Sequence, residues 1–163
     1  MTRECFPDHL TAGALVLTPQ ADAVLLNHHR KAAAWLAFGG HAEPQDTSLA
    51  GVARRETIEE SGLVHLSFDP VPLNLDEHAV EFCDVRGTVR HLDVRFVATA
   101  LRDGGHEVSE ESLDVRWWPI DALPKTFDDM YRYIEAAVTR VGQSSSSYPS
   151  GSSNRAADDQ PAR

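Results

Sequence analysis

The sequence predicts an α+β domain in which a mixed β-sheet is sandwiched between α-helices. Three observations carry this expectation. Short branched-apolar runs separated by turn residues recur through the first 120 positions, which is the pattern of strands. Two longer stretches, about 48–61 and 126–141, instead space their apolar residues by three and four, the period of a helix. Strands precede, separate and follow these helices, and no internal repeat is evident, so the elements belong to one layered unit. Its length of 163 residues is enough to bury a real core. The domain is assigned to 1–141.

Taken in order, residues 12–18 (AGALVLT) suit a buried strand, PQAD makes a turn, and 23–28 (AVLLNH) is its hairpin partner. The basic group His28, His29, Arg30 and Lys31 follows, either a solvated loop or a set of contacts to substrate phosphates. Trp35 to Phe38 reads as a short strand leading into a Gly39-Gly40 turn, where paired glycines let the backbone approach a ligand closely. Asp46 or Thr47 is expected to cap the first helix. Gly51 within it costs about 1 kcal/mol relative to Ala, and Gly62 is placed for a left-handed C-cap. Residues 63–73 read as one or two short strands broken by Pro70 and Pro72. Residues 78–83 and 91–101 form an antiparallel pair around Gly87. In the second of these, Leu92, Val94 and Phe96 share one face, with Asp93 and Arg95 on the other. That charged pair is read as a cross-strand ion pair or a substrate contact. His78 and His91 open these two strands and read as surface or structural residues rather than ligands. A strand at 113–119 precedes the second helix, whose stripe is Phe127, Met130, Tyr131, Ile134, Val138 and Val141, with Thr126 and Asp129 at the offset of a capping box. From 142 to 163 the chain turns to Ser, Gly and charge and is expected to be a disordered tail.

The formal net charge of −10 disfavours a nucleic-acid polymer or an anionic membrane as partner. A small anionic substrate stays open, because a bound cation can reverse the field inside a site. Cys5 and Cys83 offer neither a disulfide framework nor a paired-ligand spacing. Residues 1–11 carry no signal-peptide pattern and no later run has the length of a membrane span, so the expected compartment is the cytoplasm.

The chemistry concentrates in 39–63, GGHAEPQDTSLAGVARRETIEESGL. Helical spacing sets Glu56 beside both Glu59 and Glu60, continuing the face that Leu49, Val52 and Ala53 turn inward. Gathered anions repel one another and lose hydration, at several kcal/mol per ion when nothing compensates. A divalent cation compensates, and hard cations take oxygen ligands. This is a candidate metal site.

Gly39-Gly40, an acidic residue, then Arg55-Glu56-x-x-Glu59-Glu60-x-Gly62-Leu63 resembles the Nudix box, G-x5-E-x7-R-E-U-x-E-E-x-G-U with U aliphatic. The WLAFGG approach and the RWWPIDALP segment before the last helix resemble the rest of the Nudix fold. Two departures are visible. Eight residues rather than seven separate Asp46 from Arg55, which is read as one extra residue in the loop or first helical turn. Thr57 also stands at an aliphatic position.

The resemblance implies a pyrophosphohydrolase cleaving a nucleoside diphosphate linked to another moiety, with Mg2+ or Mn2+ as cofactor. It assigns Glu56, Glu59 and Glu60 as metal ligands, a carbonyl of Gly39 or Gly40 as a further ligand, and Arg55 as the group orienting the carboxylates. The general base is Glu56 or a glutamate of a later loop, Glu110 or Glu111, whose other reading is an exposed acidic loop. Trp35, Phe82 and Tyr131 are candidates for stacking on a base, or are core. A homodimer is possible for such a fold. Two other readings stand beside the hydrolase: a Nudix-fold binding or regulatory module without turnover, and an isomerase of isopentenyl diphosphate using Cys83.

Overall fold

The computed structural model describes residues 4–106 and 112–146, apart from the side chains of Phe82, Ser145 and Ser146. Among these residues seven strands and two helices follow one another: β1 Asp8–Leu17, β2 Ala23–His29, β3 Ala34–Leu36, β4 Phe38–His41, α1 Leu49–Ser61, β5 Ser67–Asp84, β6 Gly87–Thr99, β7 Ser112–Pro119 and α2 Asp128–Ser146. They build one mixed sheet in the order β3-β2-β1-β6-β5, with β4 also paired to β1 and β7 to β2. The β1–β6 pair is parallel over its whole length, Asp8 opposite Arg90 through Leu17 opposite Thr99. The remaining pairs are antiparallel.

Alternation along β1 sorts the core into two layers, because successive side chains of a strand point to opposite faces. Leu15 and Leu17 pack with Met130, Ile134, Ala137 and Val141 of α2. Ala12 and Ala14 pack with Val52 and Ala53 of α1, together with Val94 and Phe96. The sheet therefore lies between the helices, as the sequence predicts. No helix among the described residues is long and apolar enough to cross a membrane.

Several local expectations are corrected. Gly39 and Gly40 lie inside β4, paired with Gly13 and Ala12, rather than in a turn. Pro70 and Pro72 do not break the strand. They fall where the β5–β6 register is interrupted between Asp69 and Asn74, so their missing N–H groups remove no ladder bond. Asp93 and Arg95 pair along β6 itself, at 2.5 Å, not across strands. In α1 the N-cap is Ser48, whose hydroxyl accepts from the Gly51 N–H; Asp46 is engaged elsewhere. At α2 no capping box forms, since the Thr126 hydroxyl donates to the Trp35 carbonyl and Asp129 pairs with Arg132. Phe127 and Tyr131 face outward, and the helix continues five residues beyond Val141 to Ser146.

Candidate active site

The site is built where α1 meets β4. Gly62 closes α1 in the left-handed conformation, φ 68°, which glycine adopts without steric penalty. Val52, Ala53, Thr57 and Ser61 are the helix's buried residues, and they seat it on the sheet. Thr57 keeps that face satisfied despite its hydroxyl by donating to the Ala53 carbonyl at 2.7 Å. This explains why a polar residue is tolerated at an apolar position of the box.

With the helix seated, its carboxylates meet the glycine strand. A Cβ on Gly40 would stand 2.5 Å from the Glu56 carboxyl carbon, so only glycine lets Glu56 lie against β4. The Gly39 N–H donates to Glu60 Oε2 at 3.0 Å. Arg55 spans the remaining acids: Nη1 donates to Glu56 Oε1 at 2.9 Å and to Glu59 Oε2 at 3.0 Å. Its Nη2 donates to Asp46 Oδ2 at 2.9 Å and to the His41 carbonyl at 3.1 Å. Asp46 also accepts from the Glu43 N–H at 2.8 Å, closing the turn before the helix. Residues 47 and 48 lie outside the helix, and the Asp46–Arg55 pair forms across them.

The three carboxylates differ in exposure. The Glu56 side chain is only 15% exposed and that of Glu59 57%, while Glu60 is half-buried. Burial pushes the Glu56 carboxyl above its ordinary pKa, opposed by the adjacent Arg55 charge. The Arg55 hydrogen bonds hold Asp46 below its ordinary value. An all-oxygen donor set with one largely buried carboxylate suits a hard divalent cation, and the absence of a side chain on Gly40 lets the Glu56 carboxylate lie close against the β4 backbone.

These residues line a cleft of about 820 Å³, whose wall also carries Lys31, Asp93 and Arg95. Asp93 is buried, held by the Thr11 hydroxyl at 3.1 Å and by Arg95. Arg95 Nε has no hydrogen-bond partner among the described residues.

Of the predicted site residues, Arg55, Glu56, Glu59, Glu60, Gly39 and Gly40 come together around this cleft. Glu110 and Glu111 lie outside the described residues, as does the Phe82 side chain. Trp35 is instead stacked on His28, with ring centroids 5.1 Å apart, and packed edge-on against Trp118. Tyr131 bonds the Pro124 carbonyl. Neither ring lines the cleft.

Sequence reasoning missed a second group in the same wall. His9, His41, Cys83 and His91 present ligand-type atoms all within 4.8 Å of one another. Burial, then the neighbouring imidazoles of His41, His78 and His9, push the His91 pKa down to about 3. These four residues come from four strands, so no short spacing in the sequence announces them.

The NUDIX domain family matches residues 7–137. The chain belongs to the Nudix family. Members of that family are hydrolases acting on pyrophosphate bonds. A Nudix-family hydrolase from Clostridium perfringens superposes with TM-score 0.63 at 17% identity, covering 82% of this chain and 97% of its own. An Ap4A hydrolase from C. elegans does so with TM-score 0.64 at 16% identity, covering 83% and 98%. The Nudix domain of Shewanella oneidensis NrtR, solved with ADP-ribose, gives 0.57 at 23% identity, covering 82% and 88%. At these identities the likeness is one of fold. No curated protein sequence matches the chain.

Proposed function

We propose that this Nudix chain is a divalent-cation-dependent pyrophosphohydrolase of a small nucleoside diphosphate derivative, with attack of water at phosphorus. The observation that carries this reading is the meeting of Glu56 and Glu60 with the glycine strand, with Arg55 tied to Glu56, Glu59 and Asp46 beside the same cleft.

Glu56, Glu59 and Glu60, together with a carbonyl of Gly39 or Gly40, would hold Mg2+ or Mn2+. When bound, such a cation screens the diphosphate, lowers the pKa of water and stabilises the leaving oxygen. Arg55 neutralises part of the acidic ladder and fixes the orientation of Glu56 and of the exposed Glu59 through its hydrogen bonds. Glu56, whose pKa burial raises, is suited to accept the proton of the attacking water. Lys31 and Arg95, on the same cleft, supply fixed positive charge for the phosphate oxygens. Cys83 lies among imidazoles rather than beside a carboxylate base, which does not favour the isomerase reading.

The test is incubation of the pure protein with Mg2+ or Mn2+ and a panel of nucleoside diphosphate derivatives, followed by product identification in isotopically labelled water. Metal-dependent release of a mononucleotide and a phosphorylated partner is expected. Glu60→Gln should remove most of that activity while leaving the melting temperature near wild type. Nucleotide binding without product would instead identify a non-catalytic module.

A further inference from the structure

We propose that His9, His41, Cys83 and His91 form a tetrahedral site for a zinc-class transition-metal ion, distinct from the glutamate site, that clasps β1, β4, β5 and β6 together at the cleft wall. Four of the six edges match that geometry, and the two from His91 to His9 and His41 lie within 4.8 Å. Zinc bonds of about 2.0–2.1 Å to nitrogen and about 2.3 Å to sulfur require tetrahedral edges of about 3.3 Å between nitrogens and about 3.6 Å between nitrogen and sulfur. His9 Nδ1 lies 3.1 Å from His41 Nε2, and Cys83 Sγ lies 3.5 Å from each of these atoms. His91 Nε2 is 3.4 Å from Cys83 Sγ. These four edges come within about 0.2 Å of the required lengths, and a turn of the His91 ring toward His9 and His41 would complete the tetrahedron.

A supporting bond orients the first ligand. His9 Nε2 donates to the Cys5 carbonyl at 2.8 Å, which leaves the Nδ1 lone pair for the cluster, as metal-bound imidazoles are commonly held. His9 itself is fully buried, so its orientation is set by packing as well.

The donor chemistry separates this site from its neighbour. Three imidazoles and a thiol select a borderline or soft ion, whereas carboxylates select magnesium or manganese. Four protein ligands leave no open position, which is the arrangement of a structural rather than a catalytic zinc. On binding, the Cys83 S–H releases its proton to solvent and the thiolate bonds the metal. The effect on the fold is direct, because positions 9, 41, 83 and 91 lie on four strands and one ion would link them all. His41 follows Gly39-Gly40, and its carbonyl accepts from Arg55 at 3.1 Å. The clasp would thus hold the strand against which the carboxylates rest.

The experiment is titration of the chelator-treated full chain with Co2+ and then Zn2+, read by absorbance and by a chromophoric competitor. One equivalent of Co2+ should give tetrahedral d–d absorption and a thiolate-to-cobalt charge-transfer band, both bleached by Zn2+, with a rise in melting temperature. Cys83→Ser should remove the charge-transfer band. It and His91→Ala should each weaken zinc binding by at least the roughly 100-fold that loss of a supporting group costs a metal site. Glu60→Gln should leave the cobalt spectrum unchanged, which separates this site from the proposed hydrolytic one. A wild-type spectrum that is octahedral or absent would overturn the proposal without recourse to any variant. So would a charge-transfer band that survives Cys83→Ser or disappears in Glu60→Gln.

Discussion

Asp46 and Arg55 meet through two hydrogen bonds, Nη2 to Oδ2 at 2.9 Å and Nε to Oδ1 at 3.4 Å. The pair forms although the segment between them is one residue longer than the family pattern. Its side chains are only 10% and 20% exposed, so solvent screens it less than a surface pair. Its work is orientation, because the same guanidinium holds Glu56 and Glu59.

Asp46→Asn should therefore act on turnover more than on folding. A loss of about 10–100-fold in kcat is expected if the oriented carboxylates are the proposed metal ligands, with a small shift in Tm. Steady-state kinetics at saturating Mg2+ beside a thermal melt distinguish the two effects. An unchanged kcat would mean that Arg55 keeps its carboxylates in place unaided.

Gly40 and Gly13 are both closed to a side chain, with different consequences. A Cβ on Gly40 meets the Glu56 carboxyl group, while one on Gly13 overlaps the Phe38 carbonyl and crowds the Gly39 Cα. Gly40→Ala should displace Glu56 and lower activity on the order of 100-fold, the effect of a misplacement of about 1 Å. Gly13→Ala has to move backbone and should destabilise the fold by about 1–3 kcal/mol. Denaturant unfolding and activity assays on both variants check the contrast.

Tyr133 offers a test at high pH. Burial, then the Asp76 charge, raise its phenol from 10.0 to about 12. A folded-state pKa above the unfolded one means that the associated stability is complete below pH 10 and is lost as pH rises through 12. Tyrosinate absorbance should contain a late component that Tyr133→Phe removes. In that variant the stability loss between pH 10 and 12 should be shallower.

Removal of residues 147–163 should leave Tm and activity within error of the full chain, because their Ser-rich, charged composition supplies little apolar surface to bury. A cut placed before Val141 should be damaging instead, since that side chain is part of the α2 core layer. Thermal melts of the two truncations give the comparison.

Much of this protein was legible in its residues alone. The layered α+β fold, the α1 face with its Gly62 cap, and the gathering of Glu56, Glu59 and Glu60 all follow from local rules. Helical period puts residues three and four apart on one face whatever surrounds them. Some of the expectations that failed are those where a side chain had a choice of partner. Thr126 prefers the Trp35 carbonyl to its own helix, and Asp46 prefers Arg55 to the N-cap that Ser48 fills. Pro70 and Pro72 survive inside β5 because the β6 register breaks beside them, which no property of the prolines themselves announces.

What the sequence by itself determined is therefore what short-range periodicity and backbone chemistry set: the layer order and the acidic helix with its glycine cap. Only the tertiary structure decided which distant groups share a wall of the cleft. His9 and His91 stand side by side because β1 and β6 run parallel in that register, and His41 and Cys83 join them from β4 and β5. Sheet pairing brings His9, His41 and Cys83 together although each is more than 30 positions from the others, and a linear spacing carries no trace of that contact.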